Sequence, residues 1–523
     1  MIPILIFLGF ITVLYFWLTS PHQYWSKRNV KTGKLSIFGD TLEILFAKES
    51  IIENTQKLYD SVKDARYVGV FQFRIPSLLI KSPELIKQIC VRDFDHFFNH
   101  RNIFPEGAEQ LWSRNLVALK GQEWKNIRCT ISPSFTSSKM RYIFDLMNNN
   151  SQLFVQHFLQ NHEKIVEVEF RDAFTRFTND VIASTAFGAN VDSLKERNNE
   201  FYLMGKEASD FASFSKKVKL FLYFLIPRIS AFFGIEFFGE KVTSFFMNLV
   251  TESIKIREER NINRMDMLGL LIEARKEYQK EKVVVETKES CFAAVEDHFD
   301  KNIEQYLTDA DIASQVFIFF FAGYDTVCRA LGFMAHELAA NSDVQERLIE
   351  EIDENRTAEG SPSFETIANM TYMDMVVSET LRKWPLIAVV DRVVTKPYTI
   401  DPELPGEKPV HLEKDDNIMI SIWSIHHDPQ YYENPEKFDP ERFSQKNRNN
   451  IQPYTYIPFG VGPRSCIGPR FAILEMKALF FHLLSYFKIV PVAKTRIPLE
   501  LSKKSIALTS IDNFTLGLEK RNK

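Results

Sequence analysis

Apolar positions recur at helical spacing through most of residues 40–390. Phe144–Ile165 and Val344–Glu354 each alternate spaced apolar residues with polar or charged faces, the pattern of amphipathic helices. Ser342 and Gln345 stand at capping-box spacing at the start of the second. Asp309–Ala340 is different. Its middle, Val316-Phe317-Ile318-Phe319-Phe320-Phe321, is apolar on every side, which predicts a long helix at the centre of a large core. From Val394 the pattern changes to short β-like runs and turns, Asn417–Ser421 among them. Helical spacing returns from Pro469 to about Phe487, and short alternating pieces close the chain. The expectation is a mainly α protein with a small β region. No internal repeat is visible, and no linker divides residues 40–523.

The N-terminus follows another rule. Ile2–Leu18 is apolar apart from Thr12 and carries no charge. Its length is at the short end for a membrane span. Basic residues before it and a small-residue cleavage site after it would mark a secretory signal, and neither is evident. Lys27, Arg28, Lys31 and Lys34 follow it instead, which predicts a cytosolic body behind an uncleaved anchor. The expected division is an anchor over 1–20, a basic linker over 21–39 and a catalytic domain over 40–523. Phe201–Val250 is also rich in Phe, Leu and Ile around Lys216, Lys217 and Lys219. Most of it reads as core helix. Leu220–Phe238 is the stretch suited to dip into a bilayer.

Composition narrows the function classes. The chain is 523 residues long, enough for a large core, and holds 46 Phe. A net charge of −4 gives no case for a nucleic-acid partner. Five scattered cysteines, none in CxxC spacing, fit a reducing compartment and no disulfide framework.

One cysteine carries chemistry. Phe459-Gly460-Val461-Gly462-Pro463-Arg464-Ser465-Cys466-Ile467-Gly468 sets Cys466 in a glycine-punctuated loop just before a helix. Glycines allow tight turns and a close approach to something flat. A nearby helix start and Arg464 favour a thiolate, which is a nucleophile or a metal ligand. Four features precede the loop. Trp124 and Arg128 share a helical face at i, i+4. Ala322-Gly323-Tyr324-Asp325-Thr326 puts an acid and a hydroxyl inside the apolar central helix, where burying them uncompensated is costly. Glu379-Thr380-Leu381-Arg382 places opposite charges one turn apart. Phe438-Asp439-Pro440-Glu441-Arg442-Phe443 follows a turn-rich stretch. Other motifs fail on residues. Ser465 stands where a dinucleotide-binding loop needs glycine, and His336-Glu337 lacks the second histidine of a zinc protease. His426-His427 reads as part of a turn before Pro429.

Together these features resemble the cytochrome P-450 superfamily of haem-thiolate monooxygenases, from the anchor to the C-terminus. The loop Phe-x-x-Gly-x-Arg-x-Cys-x-Gly is matched at Phe459, Gly462, Arg464, Cys466 and Gly468. Trp124–Arg128 followed by Ser132-Pro133-Ser134-Phe135-Thr136-Ser137 is similar to the animal microsomal branch. Phe319-Phe320-Phe321-Ala322-Gly323-Tyr324-Asp325-Thr326 is similar to insect detoxification-type members. The resemblance implies the P-450 fold, with haem b between the long central helix and the cysteine loop. Cys466 would be its axial thiolate. Trp124, Arg128, Arg392 and Arg464 would hold the propionates, with His100 or Arg101 a looser match. Phe459 would pack near the sulfur, and Gly468 would complete the loop. Glu379, Arg382 and Arg442 would form a buried network behind the haem. Thr326 would donate a hydrogen bond on the oxygen side, and Asp325 would help route protons from solvent.

Phe319, Ala322 and Ile387–Val390, Val389 among them, are expected in the substrate pocket, alongside Ile103–Trp112, the Phe-rich 205–240 region, Ile318 and Leu508-Thr509. The resemblance further implies O2, a lipophilic substrate and NADPH used through a membrane flavoprotein reductase at the endoplasmic reticulum. Cytochrome b5 is a second candidate donor. Lys120, Lys125, Lys139 and Arg141 are candidate docking residues. Two other readings stay open. One is a haem-thiolate isomerase or dehydratase of lipid peroxides, which does not need the acid–alcohol pair. The other is a haem sensor or lipid-binding protein without turnover.

Overall fold

The structure is a computed structural model. It describes all residues except 1, 34–38, 41, 46, 103, 105–108, 212, 226, 281–306, 357–360, 504, 506 and 522–523. Lys34, Cys291 and part of the expected pocket segment 103–112 therefore lie outside the described residues.

The apolar pattern becomes helices at the expected places. Asp309–Ala340 is one continuous helix, opened by a Thr308–Asp311 capping box. Its apolar middle is buried among helices on several sides. Helix Phe170–Ile182 and helix Glu240–Glu259 pack along it, and helix Thr371–Lys383 crosses near its end. Helix Pro469–Tyr486 lies against helix Ser137–Leu159.

Two expectations at helix ends differ. The helix expected to reach Ile165 stops at Leu159, and Ile165 opens a strand. Ser342 does not cap its helix, and Asn341 holds that position without a side-chain bond. Gln345 turns inward instead. Its amide donates to the Leu338 and Ile489 carbonyls at 2.9 Å, and its oxygen accepts from Ile489 N–H at 2.7 Å.

Strands β1 (Tyr67–Gln72) and β2 (Ile75–Ile80) form a hairpin where helical spacing was expected. β4 (Val389–Val393), β5 (Tyr398–Ile400), β6 (Val410–Leu412) and β7 (Asn417–Ser421) follow the Thr371–Lys383 helix. The main sheet has the order β1-β2-β7-β4, with β2 parallel to β7, and β5 pairs with β6. β3 (Ile165–Glu169), β9 (Thr515–Lys520) and β8 (Phe487–Val490) make a second sheet that ties the chain end to its middle. The buried apolar residues form a large helical core and a smaller one around the main sheet.

The anchor segment is helical over Ile2–Thr19 and mostly exposed, as an apolar helix compatible with a membrane span. Asp309–Ala340 is long and apolar enough as well, but it is the core helix. The segment expected as a linker is not loose. Trp25 is fully buried, and its indole N–H donates to the Val70 carbonyl at 3.2 Å. Arg74 donates to the Trp17 carbonyl at 2.8 Å and covers the Trp17 ring at 3.8 Å.

Candidate functional site

A cavity of about 400 Å³ separates the central helix from the cysteine loop. Ala322, Gly323 and Thr326 line one wall, and Cys466, Ile467 and Gly468 the other. Phe135, Ile182, Phe319, Leu386, Ile387 and Val390 close much of the remainder.

The loop owes its shape to two left-handed glycines. Gly460 has φ +73° and Gly462 φ +77°. A side chain at Gly462 would put its Cβ 1.9 Å from the Cys90 carbonyl oxygen. Gly460 N–H donates to the Ile457 carbonyl at 2.9 Å, and Cys466 N–H to the Phe459 carbonyl at 2.8 Å. Cys466 lines the cavity and is exposed there. Gly468 N–H points at Sγ from 3.4 Å. Burial raises the thiol pKa, and the Gly468 N–H and Arg128 lower it without cancelling the rise. A bound metal cation is what would deprotonate this sulfur.

Cations gather at one edge. Arg464 spends its guanidinium on the carbonyls of Phe98 (3.0 Å), Leu116 (3.2 Å) and Leu119 (2.8 Å). It lies 4.0 Å over the ring of Trp124, which is fully buried. Burial and then Arg392 push its pKa down to about 8, with Asp391 opposing them and Arg128 adding to the fall. Arg392 lines the cavity and keeps a buried Nε with no partner. His100 also lines it, with Nδ1 3.0 Å from Asp391, while Arg101 reaches Gln72 at 2.8 Å. This edge is an excess of buried positive charge, suited to an anionic group.

Behind the cysteine wall, Glu379 and Arg382 form a bidentate pair at 2.9 and 2.7 Å with both side chains fully buried. Arg442 approaches Glu379 at 3.4 Å, and Asp439 N–H donates to it at 2.9 Å.

The opposite wall is nearly bare of polar atoms. Thr326 lines the cavity and turns its hydroxyl back to the Ala322 carbonyl. Asp325 is not among the lining residues. It points to the far side of the helix, between Arg171 at 2.5 Å and Arg329 at 2.7 Å. Burial would raise its pKa, but Arg329 and Arg171 outweigh that and hold it below the usual carboxylate range. Its i, i+4 spacing to Arg329 is visible in the sequence, whereas Arg171 arrives from another helix.

Phe319, Ala322, Ile387, Phe459 and Gly468 all line the cavity. Val390 of the expected Ile387–Val390 does so too, but Val389 does not, because side chains alternate along β4. Ile318, Leu508, Thr509 and the described residues of 103–112 and 205–240 are not among the lining residues. Met267, Leu381 and Pro458 line it without having been expected.

The cytochrome P450 family model matches residues 32–516. The chain belongs to the cytochrome P450 family. It is 40% identical to "Probable cytochrome P450 9f2" of Drosophila melanogaster, over 98% of this chain and 97% of that one. It is 41% identical to "Cytochrome P450 9e2" of Blattella germanica, over 96% and 94%. Identity to "Cytochrome P450 6k1" of the same cockroach is 33%, over 98% and 95%. The expected likeness to insect members is therefore borne out. As a P450, this chain is an oxidoreductase and haem-thiolate monooxygenase with haem b on a cysteine thiolate. The cavity fits that group, offering a thiol on one wall, small residues on the other and a cationic edge with an orphaned Arg392 donor.

Proposed function

We propose that this P450 oxidises lipophilic small molecules at the endoplasmic reticulum membrane, with its catalytic body in the cytosol behind an N-terminal anchor. The observation that carries the substrate class is the cavity lining. Around Cys466 and Thr326 it is almost wholly aliphatic and aromatic, so it favours apolar ligands. Haem b bound here supplies the oxygen activation. Cys466 would be its thiolate ligand, and Phe459 and Gly468 shape the loop around the sulfur. Arg392 and Arg464, with Trp124 packed beneath Arg464 and Arg128 close by, would hold the propionates. Ala322 and Gly323 would leave room for the group and its substrate beside the central helix. Thr326 would offer its hydroxyl proton to the cavity by releasing the Ala322 carbonyl that it now bonds. Glu379, Arg382 and Arg442 hold the cysteine wall from behind. Asp325 serves proton delivery only if its carboxylate leaves Arg171 and Arg329.

Electrons come from NADPH through a membrane flavoprotein reductase, with cytochrome b5 as a second donor. The candidate docking residues are engaged within the chain. Lys125 lies 3.6 Å from Asp95, Lys139 3.9 Å from Glu273, Arg141 pairs with Glu365, and Lys120 too has a partner. Docking there would exchange these pairs. The reading of Leu220–Phe238 as a surface that dips into the bilayer beside the anchor is supported by the exposure of Phe232 (84%) and Phe233 (71%).

The placement of Asp325 away from the cavity also suits the isomerase-type reading. Product from lipid peroxides without NADPH would favour that reading over the monooxygenase.

The test is a substrate panel with purified reductase, NADPH and product identification, run beside Cys466→Ala. The wild-type chain is expected to give a thiolate-type reduced-CO spectrum and oxygenated product. Cys466→Ala is expected to give neither, and retention of both in that variant overturns the assignment.

A further inference from the structure

His426 is fully buried at the end of the short helix Ile422–His426, rather than lying in an open turn. Both ring nitrogens meet backbone. Nδ1 lies 2.9 Å from the Arg382 carbonyl, and Ile457 N–H donates to Nε2 at 3.0 Å. A carbonyl only accepts and an amide N–H only donates. One neutral tautomer satisfies both, with the proton on Nδ1 and the lone pair on Nε2. Burial, Arg382 and His427 hold the imidazole pKa well below its ordinary value, so the ring stays neutral.

The surroundings reinforce this arrangement. Arg382 returns a bond to the His426 carbonyl at 3.1 Å. The imidazole stacks on Tyr456 with centroids 5.7 Å apart, and the Tyr456 hydroxyl donates to the Ser378 carbonyl at 3.2 Å. Ile457 is where the cysteine loop begins. Its carbonyl holds Gly460 N–H, and the Phe459 carbonyl holds Cys466 N–H. The bonds run from the Glu379–Arg382 pair, through one imidazole, to the turn whose end is fixed by the Cys466 amide.

We propose that His426 is a positioning residue for Cys466, its single tautomer linking the rigid Glu379–Arg382 pair to the loop that aims the sulfur. The proposal rests on Cys466 being the iron ligand. It adds that the loop's geometry is imposed from the Thr371–Lys383 helix and does not come from its glycines alone.

Two substitutions test it in the full-length protein. H426F fills similar volume and offers neither bond, whereas H426Q can return an acceptor to Ile457 N–H. Hydrogen exchange over residues 457–466 in the haem-free protein reads the link without turnover. H426F is expected to speed exchange there about tenfold, as for a lost buried bond, while residues 515–520 stay unchanged. The haem-bound form is expected to lose its thiolate-type CO spectrum faster than wild type, and H426Q to recover much of both effects. Should H426F not fold, H426N, too short to span Arg382 and Ile457, is read in its place with the same expected signs. Native exchange over 457–466 together with a native thiolate fraction overturns the proposal. Cys466→Ala with native exchange at 457 separates failure of this link from failure of the ligand assignment.

Discussion

The two walls of the cavity are built on opposite principles. The cysteine wall is held by directed polar bonds: two left-handed glycines, a buried Glu379–Arg382 pair and His426 between that pair and the loop. The central-helix wall is held by apolar packing, and its charged residue is turned to the back. Directed bonds fix a position to a fraction of an ångström, as a metal ligand requires. A wall of small and apolar groups leaves space without specifying what fills it, as suits a binding face. One side sets the reaction and the other sets what can reach it.

Substitutions that strike one wall and spare the other sharpen this contrast. The largest effect is expected on the cysteine side. Glu379→Gln leaves Arg382 buried without its charge partner and is expected to cost about 3–5 kcal/mol. Thermal unfolding and haem retention check this, and a loss below about 1 kcal/mol would show that the pair is not what holds the wall.

Asp325→Asn comes next, at about 2–3 kcal/mol, because Arg171 and Arg329 lose their shared carboxylate. Its pH dependence has a definite sign. The folded carboxyl is held below its ordinary range, so its contribution is present above that range and is lost as pH falls through the folded value. The stability gap between wild type and variant should close on acidification. A gap independent of pH between 3 and 7 would place the loss elsewhere, and both numbers bracket the ordinary carboxylate range.

The smallest structural effect is expected at Thr326. Thr326→Val keeps shape and loses a hydroxyl bonded only to its own helix, so stability should change by about 0.5 kcal/mol or less. Product formed per NADPH consumed should nevertheless fall by about tenfold if the hydroxyl serves proton delivery. Unchanged coupling would make this wall purely a binding face.

The sequence was informative where local spacing or a rigid motif governs structure. The central helix appears over its full expected range because its apolar run can be buried only as a core helix. The β1–β2 hairpin was read as part of a helical region because its residues are buried on both faces, which erases the alternation that marks a strand. Helix Ser137–Leu159 was drawn too long because Ile165 belongs to β3, whose partner β9 lies at the far end of the chain. Gln345 was read as a cap because its spacing allowed it, but pairing with β8 satisfied both ends of its amide.

The residues of the cavity walls were legible for the same reason as the fold's local elements. Cys466 and Gly462 announce a tight loop, and Ala322-Gly323 followed by Thr326 announces a gap in a packed helix. Family membership and reaction class follow from those residues in that order. Tertiary structure alone decided that Asp325 faces Arg171, that Val389 turns away from the cavity that Val390 enters, and that His426 joins two distant segments. A sequence records which groups must be satisfied. Which partner satisfies each one is settled when distant segments meet in a low-dielectric core, where an unpaired polar atom costs more than any local preference.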